Sequence, residues 1–200
     1  MPRQGPQGLM ASVAPTYLAG RRPLRFRDVN RRGKTGFQSG VQRHHLLPRQ
    51  LLGARCFGTL FDTIGCERVG FDDFRCNGLL LPAADHAAVR MNLPLHRGPH
   101  RDYNAMVAAR AGQIESDWAG LRRRAPEIAA ERALMRLRLL QRALRKRLLT
   151  SVAPFRLNKN DRLGQGKDFD DLDRMAEILW QQTGGALAGG AVTAGLDLVD

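Results

Sequence analysis

The chain is short of four things, and each shortage excludes something. Cysteine occurs three times in 200 residues, at Cys56, Cys66 and Cys76, and never as a C-x-x-C pair. An odd count without that pair makes neither a disulfide framework nor a zinc knuckle, so the thiols read as buried or incidental. Aromatic residues are only 6% of the chain, so a core has to be built mostly from Leu, Ala and Val. Long apolar runs are missing. The best, Ile178 to Leu196, has no charge but carries five glycines, which makes it a poor transmembrane helix. Leu9 to Ala19 is short and broken by Pro15, a weak signal peptide at best. The fourth shortage is of acids, 19 Asp and Glu against 32 Lys and Arg, for a formal net charge of +13. Such an imbalance points to a polyanionic partner, and nucleic acid is the first candidate.

What is present is an ordinary globular composition, 43% hydrophobic and 26% charged, long enough for one domain with extensions. Residues 1–40 carry Pro2, Pro6, Pro15, Pro23 and a single acid, Asp28, and read as a basic, largely disordered arm whose arginines suit phosphate contacts. Val41 to Leu47 is a strand candidate stopped by Pro48, and Gln50 to Cys56 one or two helical turns. Residues 57–76 look irregular, broken by Gly58, Gly65 and Gly70, with Phe57, Leu60, Phe61, Ile64, Phe71 and Phe74 as packing groups. Leu79 to Leu81 is a short apolar strand between Asn77-Gly78 and Pro82. Helical spacing of Tyr103, Met106, Val107, Ala111, Ile114 and Trp118 predicts a helix over residues 99–118. A second runs over residues 127–149, with Leu134, Leu137, Leu144 and Leu148 on one face and arginines on the other. Between Arg122 and Arg147 stand ten Lys and Arg against Glu127 and Glu131, a face suited to nucleic acid, an anionic membrane or a partner helix. Domain boundaries follow: an arm to residue 40, a core at 41–118, a basic amphipathic helix at 119–150, a linker and acidic helix at 151–183, and a Gly/Ala-rich tail at 184–200.

Four of the five histidines fall in two places, His44-His45 and His96-x-x-x-His100. Histidine is both the commonest metal ligand and the usual general base near neutral pH. A spacing of four puts two imidazoles within reach of one cation, although Gly98 and Pro99 argue against a regular helix across the pair. Adjacent strand residues point to opposite faces, so His44 and His45 are not expected to bind one ion together; if the strand end bends they can divide labour, one binding metal and the other taking a proton from water. Which does which, the spacing leaves open. Asn77, just before the apolar strand, is placed to brace the loop beside His45. His86 has no companion group.

Taken together, Arg43-His44-His45, Asn77-Gly78-Leu79-Leu80-Leu81-Pro82 and Leu95-His96-Arg97-Gly98-Pro99-His100 with Tyr103-Asn104 resemble the AHH nucleases of the HNH/endonuclease VII superfamily. The resemblance covers about residues 41–114, and Arg43 replaces the alanine of the family's name. It implies an α+β fold, a small ββα-metal hairpin-plus-helix nuclease core, here with a mainly helical C-terminal extension. By motif, His45 would be the general base, with Asn77 orienting its loop, and His44, His96 and His100 would hold one divalent ion. Three imidazoles suit Zn²⁺, Ni²⁺ or Co²⁺, while Mn²⁺ or Mg²⁺ can work if substrate oxygens complete the site. Arg43, Arg97, Arg101, Arg136, Arg142 and Arg145 are the candidates for nucleic-acid contact. The expected function is metal-dependent endonucleolytic cleavage of DNA, or of RNA, with little sequence preference. A bacterial toxin or effector role is implied with it, in the bacterial cytoplasm or delivered into a target cell and restrained by an acidic immunity protein. The competing reading is a non-catalytic nucleic-acid-binding protein on a decayed nuclease fold, which would be expected to lack one of the His or Asn groups. A structural zinc module ranks last, because closed zinc sites favour cysteine.

Overall fold

The computed structural model describes residues 21–150 together with Leu157 and Ile178. Apart from Leu157 and Ile178, the expected linker, acidic helix and Gly/Ala tail lie outside the described residues, as does the start of the basic arm.

The fold is α+β. β1 (Val41–His45) and β2 (Gly78–Pro82) pair antiparallel, with His44 opposite Leu79 and His45 opposite Gly78. Two strands bury little by themselves and need helices against them. Those helices are α1 (Gln50–Gly53), α2 (Gly58–Ile64), α3 (Cys66–Val69) and α4 (Phe74–Asn77) between the strands, then α5 (Asp85–Met91), α6 (Arg101–Leu121) and α7 (Pro126–Leu149). The two long helices pack against each other, and α2, α3 and α4 rest on α7. Leu46, Leu60, Ile64, Leu81, Val107, Leu137 and Leu144 close one continuous core that joins the strands to the helical extension. No described helix is long and apolar enough to cross a membrane.

Three expectations needed correction. The first strand ends at His45 rather than Leu47, because Leu46 and Leu47 turn out of the ladder to bond Asn77. The stretch from Phe57 to Cys76 is not irregular. Its glycines separate helices of one or two turns, with Gly65 (φ 81°) and Gly70 (φ 77°) taking the positive-φ backbone that ends each of them cheaply. The basic arm is not free up to Gly40. Phe26 is buried in a single tight turn, Phe74 N–H donates to Leu24 O, and Arg25 bridges to Asp73.

Candidate functional site

Period-two alternation decides what each residue of β1 faces. Gln42 and His44 share one side, and Arg43 and His45 share the other. The structure therefore separates the histidine pair, as strand geometry requires.

On the first side, His44 meets His96 and His100. The ligating nitrogens of the three rings all lie within 4.8 Å of one another. His96 Nε2 and His100 Nε2 are 2.8 Å apart, and His96 Nδ1 sits 3.2 Å from Gln42 Oε1, which fixes the ring from behind. His96 N–H donates to Pro82 O at 2.7 Å, anchoring the loop to the end of β2. His100 stands directly before α6, so the pair spans a loop and a helix start, as Gly98 and Pro99 suggest. His44 is 3% exposed and its Nε2 has no hydrogen-bond partner among the described residues, a cost a buried polar atom seldom bears without a ligand. Burial holds all three imidazoles in the neutral form. His44 is driven well below the ordinary value, His96 down to about 4 by burial and then by His100, and His100 lowered by burial. Neutral rings keep their lone pairs available to a cation at pH 7. The donor set and the orphaned His44 nitrogen thus fit a divalent ion. Among the described residues no carboxylate joins the cluster.

On the opposite side, His45 lies flat on Phe26, ring centroids 3.7 Å apart and planes within 2°. Phe26 meets Phe74 edge-on at 5.1 Å, and the Phe74 ring fills the space where a Cβ on residue 78 would go, so Gly78 opposite His45 has to be glycine. His45 is half-buried and lowered to about 4, by burial first, then by Arg49 and Arg43 against the opposing Asp72. It is a neutral proton acceptor at pH 7. Phe26, on which His45 rests, also lines a cleft of about 430 Å³ together with Arg25, Arg27, Arg49, Phe71 and Asp72.

Between the two sides, Asn77 is fully buried. Its Oδ1 accepts from Leu47 N–H at 2.7 Å and from Gln141 Nε2 at 3.4 Å, and its Nδ2 donates to Leu47 O and Phe71 O. Asn77 O accepts from Leu46 N–H at 2.8 Å. Tyr103, whose hydroxyl burial keeps protonated, donates to Leu46 O at 2.8 Å and packs its ring against His44. The turn leaving His45 is therefore held from two sides, and Asn77 acts on it without being open to substrate.

The arginines singled out in the sequence divide. Arg43 donates to Phe26 O at 2.6 Å and to Val29 O, tying the N-terminal segment over His45. Arg97 pairs with Asp85 at 2.9 Å, and Arg136 with Asp117. Arg101 is exposed in the first turn of α6 beside His100. Arg142 and Arg145 lie on α7, with Arg145 donating to Arg75 O. His86 is exposed on α5, away from the other four histidines. Sequence reasoning missed Gln42, Gln141, Phe26 and Arg49. Gln42 was available from alternation alone, being two residues before His44. Gln141 was visible as an amide within the apolar face of Leu137, Leu140 and Leu144. Phe26 and Arg49 carry no local signal, because their value comes from a contact made across the fold.

A family model described as a nuclease family of the HNH/ENDO VII superfamily with conserved AHH matches residues 25–144. No curated protein and no solved structure matches the chain.

Proposed function

The chain belongs to the AHH family of nucleases, in the HNH/ENDO VII superfamily, and from that premise we propose that it is a cation-dependent endonuclease that cleaves DNA with little sequence preference. The observation that carries the proposal is the converging trio of His44, His96 and His100, with a neutral His45 on the other side of the same strand. The first three would hold one divalent ion, and an all-imidazole set is best matched to Zn²⁺ or Ni²⁺. Such an ion supplies charge neutralisation at the phosphate and at the leaving oxygen. His45 accepts the proton of the attacking water at an imidazole nitrogen, and its low proton affinity in the free protein keeps it ready to do so at pH 7. Phosphates entering beside it bring negative charge that raises this affinity when the strand is bound. Phe26 and the anchored Leu46–Leu47 turn fix the ring and save it orientational entropy. Arg25, Arg27 and Arg49, which line the cleft that shares Phe26 with His45, would contact phosphates flanking the cleaved bond, and contacts of that kind carry no base readout. Arg43, in the place of the family's alanine, removes no reacting group and supports the segment that carries Phe26.

The net charge of +13 also favours an acidic protein partner. We extend the proposal to a bacterial toxin or effector restrained by an acidic immunity protein. Growth arrest on expression, absent for His45→Ala, is the expected sign.

The direct test uses purified full-length protein stripped with chelator and offered Zn²⁺, Ni²⁺, Mn²⁺ or Mg²⁺ with supercoiled plasmid, and in parallel with RNA. Nicking that needs an added cation and disappears in His45→Ala is expected. Retardation of plasmid without cleavage under every cation would instead favour the binding-only reading.

A further inference from the structure

A second cationic cavity lies apart from the histidines, between α7 and the short helices α3 and α4. It has a volume of about 320 Å³ and is lined by Arg21, Arg75, Arg138, Arg142 and Arg145, with Gln141 in its wall. Spacing on α7 produces it: residues 138, 141, 142 and 145 fall on one helical face. Three of these guanidinium groups, Arg75, Arg138 and Arg145, are held by backbone carbonyls. Arg138 donates to Arg68 O at 2.9 Å, and Arg145 donates to Arg75 O at 2.8 Å and Cys76 O at 3.3 Å. Those bonds orient the forks without neutralising them, and each guanidinium keeps further N–H groups. No ion pair joins Arg21, Arg75, Arg138 or Arg145 among the described residues. The one carboxylate in the wall among the described residues, Asp73, is turned to its own neighbourhood, accepting from Leu24 N–H, Arg75 N–H and the Cys76 thiol. Arg145 is half-buried, and burial lowers its proton affinity, with Cys76 opposing the shift.

We propose that this cavity is a phosphate-binding exosite, which seats a backbone phosphate of the nucleic acid away from the bond being cleaved. Several oriented forks around one concave site are what phosphate recognition uses. The source of the phosphate rests on the nuclease reading; the chemistry of the cavity does not. Gln141 gives the exosite a physical connection to the catalytic side. It lines the cavity and donates to both Val69 O and Asn77 Oδ1, and Asn77 holds the turn after His45.

The test measures binding, in chelator, so that cleavage plays no part. A labelled duplex of about 20 base pairs is titrated by anisotropy between about 50 and 200 mM NaCl, using wild type and the rim variant Arg21→Gln/Arg75→Gln. The rim is chosen because the Arg75 side chain reaches only Arg22 O, at 3.3 Å, and the Arg21 side chain makes no hydrogen bond or ion pair among the described residues. Arg138→Gln is measured alongside, with its melting temperature. Affinity is expected to fall about tenfold in the rim variant, and the salt slope to shrink by about 1 for each phosphate that the variant no longer neutralises. Inorganic phosphate should raise the melting temperature of wild type more than that of the rim variant. If only that phosphate effect disappears and duplex affinity holds, the exosite serves a free phosphate compound. If neither changes in either variant, the proposal is wrong, and the chain's own Asp168 to Asp173 becomes the next occupant to test. Failure of the nuclease reading would show separately, as wild type that binds duplex in chelator but cleaves nothing once cations are restored.

Discussion

His44 and His45 are neighbours with the same side chain and unlike surroundings, and the difference is set by one peptide unit of strand. His44 enters a closed group of imidazoles; His45 lies on an aromatic face beside arginines. Both stay neutral, and that has a consequence for stability. Burial lowers the folded-state proton affinity of His44, His96 and His100 below the ordinary value of 6.5, with His96 and His45 brought to about 4. Below 6.5 the unfolded chain therefore binds more protons than the folded one. The contribution to stability is whole above about pH 6.5 and fades as pH falls from there towards 4. Melting temperatures of cation-free protein should drop across that window, and drop less in His96→Gln. An identical fall in the variant would mean that His96 is not held neutral by the fold. At this scale the sequence was informative wherever chemistry is tied to residue type. The histidines and Asn77 stood out by spacing, while Gln42 and Gln141 looked like ordinary polar residues until their partners were known.

Among the elements, the short ones do the positioning. α4 ends on Asn77, and its Phe74 ring occupies the space beside Gly78, so helix and strand lock where β2 begins. Gly78→Ala would push that ring against Phe26 and so disturb the plate beneath His45. Overpacking of this kind costs about 1–3 kcal/mol, read from denaturant midpoints. Nicking should fall further than the stability loss explains, because His45 loses its support. A variant with full stability and full nicking would show that the ring can move aside. The long helices α6 and α7 were legible from their 3.6-residue period, although α7 begins one residue earlier than that period shows, with Pro126 in its first turn. The helices α2, α3 and α4 were not, because four to seven residues give too few repeats to show a period and the glycines between them read as breakage.

For the whole molecule, the division of labour runs across the two-stranded ribbon: imidazole cluster on one side, His45 with its arginine-lined cleft on the other, and a core shared with α6 and α7 behind both. The sequence boundaries at residues 118 and 40 cut through continuous packing. Leu137 and Leu144 of α7 lie in the same core as Leu46 and Leu81, and Phe26 sits under the site. Such long-range packing leaves no mark in local pattern, which is why the helical extension read as a separate unit. The central claim is that the cation is held by one side of β1 and the proton acceptor stands on the other. Calorimetric titration of Ni²⁺ into chelator-stripped, full-length His45→Ala and His96→Ala tests it most directly. One Ni²⁺ per chain is expected in His45→Ala, bound as in wild type, and none at this site in His96→Ala. Ni²⁺ binding abolished in His45→Ala but kept by His96→Ala would contradict it.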